Sequence, residues 1–128
     1  MNEFKDYSGK KVLYIDDISA NLMAGTIALQ NFKVEVHTGR TMADLFEMMR
    51  SNEYDLIILD DMMPENKING TTAMQQIKAR GYTKPIIVLT ANTSALDKRK
   101  YLSDGFDDYL SKPVDVMELN TILGKFFD

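Results

Sequence analysis

The chain has no cysteine among its 128 residues, which excludes disulfides, zinc–thiolate sites and thiol nucleophiles. A reducing cytoplasm is compatible with that absence. It also lacks a basic excess: 15 Lys and Arg against 19 Asp and Glu leave a net charge of −4, the wrong sign for direct binding to a nucleic acid backbone. No apolar run reaches the ~20 residues a membrane-spanning helix needs. The opening MNEFKDYSGKK has no hydrophobic centre of the signal-peptide kind, so no direct membrane contact is expected. Internal repeats and low-complexity tracts are absent as well. The single histidine, His37, is expected on the surface at the end of an edge strand, not as a phosphorylated residue.

What is present is an ordinary globular composition, 45% hydrophobic and 27% charged, in a length that makes one domain with one core. Residues 1–9 read as a loose leader punctuated by Ser8-Gly9, with the domain running over 10–128. Apolar blocks of strand length alternate with stretches of helical period. The pattern predicts strands over Val12–Ile15, Val34–His37, Leu56–Leu59, Ile86–Leu89 and Phe106–Leu110. VLYI, LIIL and IIVL are near-continuous, as in parallel strands covered on both faces, and the two more polar strands suit the sheet edges. Met42, Leu45, Phe46 and Met49 fall at i, i+3, i+4, i+7, as do Leu119, Ile122, Leu123 and Phe126, the mark of helices with one buried face. Leu22, Thr26 and Leu29 make a weaker stripe, with Ser19 as the expected N-cap. Ser94–Asp104 is poorly amphipathic and stops at Gly105, so it is expected to be the least firmly packed helix.

Five βα units in a row imply an α/β fold, a doubly wound and mostly parallel sheet with right-handed crossovers. Ligands of such sheets bind beyond the carboxyl ends of the strands. The polar oddities of this sequence fall there: Asp16-Asp17 follow VLYI, Asp60-Asp61 follow LIIL, Thr90 follows IIVL, and Lys112-Pro113 follow the fifth strand. Singly, each is an ordinary turn or cap. Together they gather carboxylates, a hydroxyl and a lysine on one edge. Carboxylate oxygens suit magnesium, a lysine and a hydroxyl suit phosphoryl oxygens, and a central carboxylate can be the nucleophile that becomes an aspartyl phosphate. By residue type alone, Asp60 and Asp61 are both candidates.

VLYIDD, DLIILDDMMP, PIIVLTAN and DGFDDYLSKP, in that order, resemble the receiver domain of two-component response regulators, from about Lys10 to the C-terminus. The resemblance implies a flavodoxin-like (βα)5 fold with sheet order 2-1-3-4-5. It implies Asp60 as phosphoacceptor, since Pro64 stands four residues after it, and Asp17 and Asp16 as magnesium acids, Asp17 directly and Asp16 through water. The Met62 backbone carbonyl would complete the protein's share of the metal shell. It further implies Thr90 as switch hydroxyl, Lys112 as the phosphate-pairing lysine, Tyr109 as the aromatic that rotates inward on activation, and a cis Lys112–Pro113 bond.

TANTSALDKRKYLSDGFDDYLSKPV and Asn21 are most similar to receivers of hybrid histidine kinases. The implied function is acceptance of a phosphoryl group from a phosphohistidine, with Mg2+, followed by a conformational switch. The partner would be a histidine kinase or a histidine phosphotransfer domain, the location cytoplasmic or on the cytoplasmic side of a membrane-anchored parent kinase, and the state a monomer or a weak phosphorylation-dependent dimer. The chain stops at FFD without an output segment, so it is expected to be one domain of a longer protein, with a stand-alone regulator or a phosphorylation-independent interaction module as alternatives. An enzyme is not expected beyond self-dephosphorylation: an aspartyl phosphatase generally has an acid two residues after its nucleophile, where this chain has Met62. Two departures stand out. PENKING takes six residues after Pro64 to reach its glycine, which reads as a lengthened loop at the rim of the site. Asp61 is charged where family members are usually apolar, and along an extended chain its side chain is expected to point away from the pocket.

Overall fold

The computed structural model describes residues 4–128. Its elements follow in the order β1 (Lys11–Ile15), α1 (Ser19–Gln30), β2 (Glu35–Gly39), α2 (Met42–Ser51), β3 (Leu56–Asp60), β4 (Met62–Met63), a 3-10 turn (Pro64–Asn66), β5 (Ile68–Asn69), α3 (Gly70–Ala79), β6 (Ile86–Thr90), α4 (Ala95–Asp104), β7 (Asp108–Ser111) and α5 (Val116–Phe127). Five strands form one parallel sheet in the order β2-β1-β3-β6-β7. This is the expected 2-1-3-4-5 order. The numbers differ only because the PENKING segment forms a two-stranded antiparallel hairpin, β4 with β5, between the third and fourth sheet strands. The three apolar blocks occupy the centre and the two polar strands the edges.

The pleat sorts each strand's residues into two cores. Val12, Tyr14, Ile58, Ile87 and Leu89 face one side with Leu22 and Leu29 of α1 and Leu119, Ile122 and Leu123 of α5. Leu13, Ile15, Ile57, Leu59, Ile86 and Val88 face the other, with Leu45 of α2, and Ala73, Met74 and Ile77 of α3. In α1, Gly25 allows the close approach to Tyr14, since an added Cβ would lie 2.3 Å from its ring. Helix α4 contributes no buried residue, as its weak stripe predicts, and ends on Gly105 at φ +124°.

Three expectations are corrected. Of the leader, residues 1–3 lie outside the described part, but from Phe4 on it is fastened rather than loose. The Phe4 ring meets Phe32 at 5.0 Å, Tyr7 is buried and its N–H donates to the Phe32 carbonyl, and Lys5 pairs with Asp128 at 2.7 Å. Two aromatic side chains at i and i+3 are enough apolar area to hold the segment against the core. Ser19 is not the N-cap. Ile18 holds that place without a side-chain bond, and the Asp16 carboxylate accepts its N–H at 2.9 Å instead. His37 sits mid-strand and half-buried, its ring nitrogens 2.6 Å from the Tyr54 hydroxyl and 2.7 Å from Glu35 Oε2.

Candidate functional site

The carboxyl ends of β1, β3, β6 and β7 deliver Asp16-Asp17, Asp60-Asp61, Thr90 and Lys112 to one edge of the sheet. Asp16, Asp17, Asp60 and Thr90 are the only buried polar residues among those described. Such groups are costly to bury without partners, so the partners define the site. Lys112 Nζ lies 2.5 Å from Asp60 Oδ1 and 3.5 Å from Asp61 Oδ1. The Lys112–Pro113 peptide is cis, as expected.

Asp16, Asp17 and Asp60 each offer a carboxylate oxygen, and these oxygens all lie within 4.8 Å of one another. Asp17 Oδ1 has no hydrogen-bond partner among the described residues, and Asp60 Oδ1 has only the lysine ammonium. Three buried carboxyl groups with unfilled lone pairs fit a hard divalent cation, which would hold all three ionised. Burial first, then the hydrogen bond that its protonated form donates to Asp61 and the charge of Asp16, push the Asp60 carboxyl up to about 7 against the opposing Lys112. For Asp61, burial is outweighed by hydrogen bonds with Asp60 and Thr90 and by the Lys112 charge, which hold it below the usual carboxylate value. Lys112 is raised: burial opposes its charge, but Asp60 and Asp61 outweigh it.

The PENKING segment is more than a lengthened rim. The Glu65 N–H donates to Asp17 Oδ2 at 3.0 Å. Asn66 accepts from the Met42 N–H at 3.1 Å and donates to the Arg40 carbonyl at 2.9 Å. Arg40 in turn donates twice to the Asp17 carbonyl, at 3.1 and 2.9 Å. Asp17 is thereby oriented from both its backbone and its side chain. Lys67 closes the 3-10 turn in the left-handed region at φ 54°. Gly70 opens α3 where an added Cβ would stand 2.7 Å from the Asp60 carbonyl oxygen. Met62 opens β4, two positions after Asp60, with its side chain exposed.

Asp61 is the main correction. Its side chain does not point away from the pocket: Asp61 Oδ1 shares the Lys112 ammonium with Asp60. Its Oδ2 accepts from Thr90 Oγ1 at 2.8 Å and from the Tyr101 hydroxyl at 3.3 Å, with Asn92 Nδ2 at 3.4 Å. The strand ends at Asp60 and Asp61 lies in the bend beyond it, so the alternation of side chains along a strand does not carry over to it. Tyr109 is half-buried on β7 with Lys98 Nζ 4.8 Å from its ring centre. Tyr101, Arg40 and Asn92 were not foreseen. Tyr101 had a signal: it is the lone aromatic of a weakly amphipathic helix. Arg40 and Asn92 had none, since their partners lie far off in sequence or are backbone atoms.

The response regulator receiver domain model matches residues 12–124. The chain belongs to this family. As a receiver it is similar to part of the aerobic respiration control sensor protein ArcB of Escherichia coli K12, 34% identical over 91% of this chain and 15% of that protein. It is likewise similar to part of the hybrid signal transduction histidine kinase G of Dictyostelium discoideum, 32% identical over 91% of this chain and 4% of that protein. The receiver thus spans a small fraction of these relatives' length. The Saccharomyces cerevisiae Ssk1 receiver domain, solved with the histidine phosphotransfer signaling protein Ypd1, shares the fold at a TM-score of 0.77, with 24% identity over 98% of this chain and 91% of that one. Among the described residues no helix is long and apolar enough to cross a membrane.

Proposed function

We propose that the receiver accepts a phosphoryl group on Asp60 from a phosphohistidine and switches conformation in response. The observation that carries this reading is Asp60 itself: a buried carboxylate at the end of β3, 2.5 Å from Lys112 and clustered with Asp16 and Asp17. In the transfer, an Asp60 oxygen forms the bond to phosphorus as the bond to the histidine nitrogen breaks, and the nitrogen keeps that electron pair. Lys112 faces the phosphoryl oxygens, and Thr90 supplies a hydroxyl to one of them. Magnesium held by Asp16, Asp17, Asp60 and the Met62 carbonyl would neutralise charge on the transferring group. Thr90, once drawn toward the phosphoryl group, changes what α4 and Tyr109 pack against, a local charge event biasing a two-state element.

The partner is a histidine kinase or a histidine phosphotransfer domain, whose helices would meet the exposed apolar residues Ile18, next to Asp17, Met62, next to Asp61, and Met23 and Ile27 of α1. Similarity to histidine kinase G supports a place within a hybrid kinase. Beyond self-dephosphorylation no turnover is proposed, because Met62 stands where a phosphatase acid would. Incubation with a small phosphoryl donor and Mg2+, read by intact mass, is expected to add one phosphoryl group to the wild type and none to Asp60→Asn. Equal labelling of the variant would overturn the assignment.

A further inference from the structure

We propose that Asp61 acts as a built-in competitor for the phosphoryl group, holding Thr90 and Lys112 in a resting arrangement, with Tyr101 locking it from α4. This rests on the phosphoacceptor reading of Asp60. A threonine hydroxyl has one proton to donate. Here it is donated to Asp61 Oδ2 at 2.8 Å, so it is not available to an oxygen on Asp60. The same Oγ1 accepts the Asn92 N–H at 2.9 Å. Because the threonine proton is committed, the Tyr101 hydroxyl is the donor, its single proton shared between Thr90 Oγ1, at 2.9 Å, and the longer contact with Asp61 Oδ2, at 3.3 Å. The other Asp61 oxygen lies 3.5 Å from the Lys112 ammonium that also holds Asp60. One carboxylate therefore takes up the hydroxyl and part of the cation that a phosphoryl group on the neighbouring residue needs.

The geometry has two consequences. Loading Asp60 must break a charge-assisted hydrogen bond that would not exist with an apolar residue at 61, and it must bring phosphoryl charge beside a carboxylate already 90% buried. Breaking that bond also releases the Tyr101 hydroxyl. Since α4 has no buried residue of its own, this hydroxyl is its polar tie to the sheet edge, and occupancy of Asp60 is read out through Asp61 as movement of α4. Asp61 is a positioning residue, acting through Thr90 and Lys112.

The test is Mg2+-dependent binding of beryllofluoride, a phosphoryl mimic, measured by calorimetry on the wild type, Asp61→Ala, the isosteric Asp61→Asn, Tyr101→Phe and Asp60→Asn, with circular dichroism to confirm folding. Asp61→Ala is expected to tighten binding on the order of tenfold, the scale of one hydrogen bond to a charged group. Asp61→Asn should tighten it less and Tyr101→Phe about twofold to threefold. Without ligand, the Asn92 and Thr90 amide resonances of Asp61→Ala should move toward their positions in the beryllofluoride-saturated wild type, a response that a merely structural role would not produce. Folded Asp61 variants that bind no tighter, or amides that stay at their resting positions, overturn the proposal. If the wild type binds and only Asp60→Asn loses binding, while the Asp61 variants match the wild type, the competitor fails and the phosphoacceptor stands. If neither the wild type nor Asp61→Ala binds, both fall; binding gained only on removing Asp61 supports both.

Discussion

Helices α4 and α5 follow adjacent strands and are held in opposite ways. Helix α5 buries Leu119, Ile122 and Leu123, and its stability comes from apolar area removed from water. Helix α4 has no fully buried residue. It is attached through the half-buried Tyr101, whose ring meets Phe106 at 6.0 Å and whose hydroxyl meets Thr90 and Asp61. Packed apolar contacts are indifferent to charge at the strand ends, whereas a hydrogen bond to a site residue is not. The difference assigns the two helices their parts: α5 is framework, and α4 is free to follow the site.

The comparison is broken most severely from the framework side. Leu123→Ala should cost about 3 kcal/mol, the usual scale for emptying a buried leucine site, measured by urea unfolding. A loss under about 1 kcal/mol would mean α5 is not framework. Next in size is the electrostatic load at the site. Asp60 is protonated in the fold up to about 7 but ionises near the ordinary 3.8 when unfolded. Over that window the unfolded state binds fewer protons, so metal-free stability falls as pH rises from about 4 to 7 and stays low above it. Asp60→Asn should therefore stabilise the metal-free protein by roughly 2 kcal/mol at pH 8 and by little near pH 4. Added Mg2+ should narrow the gap by stabilising the wild type. An unchanged wild-type to Asn difference across pH would sink this account.

Smaller effects test the α4 side. Tyr101→Phe should cost about 1 kcal/mol, the net worth of a hydrogen bond, and speed amide exchange in α4 while leaving α5 untouched. Leu102→Ala, at an exposed position of α4, should change stability by less than about 0.5 kcal/mol. A larger loss there would show α4 packed more firmly than described. Together with Leu123→Ala it sets the two ends of the scale.

Much of this was legible in the residues. VLYI, LIIL and IIVL had to lie at the centre of a sheet, because only a strand covered on both faces keeps so continuous an apolar run. Their successors had to share one edge, which located Asp16, Asp17, Asp60, Thr90 and Lys112 without coordinates. The misreadings have one cause. For Asp61 the alternation of side chains along a strand misleads, because β3 ends at Asp60 and the bend after it turns Asp61 back to Lys112 and Thr90. Phe4 and Tyr7 lie in a segment without strand or helix period, and nothing local shows that Phe32 lies beside them. Asn66 and Arg40 close on Asp17 through bonds to backbone atoms, which any residue possesses and no pattern marks.

The sequence by itself determined the alternation of strands and helices, the edge on which the chemistry gathers and the weakness of α4, because these follow from periodicity and from parallel βα connections; the strand order came with the resemblance to receiver domains. Only the tertiary structure decided what Asp61 touches. That depends on how the ends of β6 and β7 and helix α4 close around the bend after β3, and a carboxylate takes its function from the donors brought within about 3 Å of it.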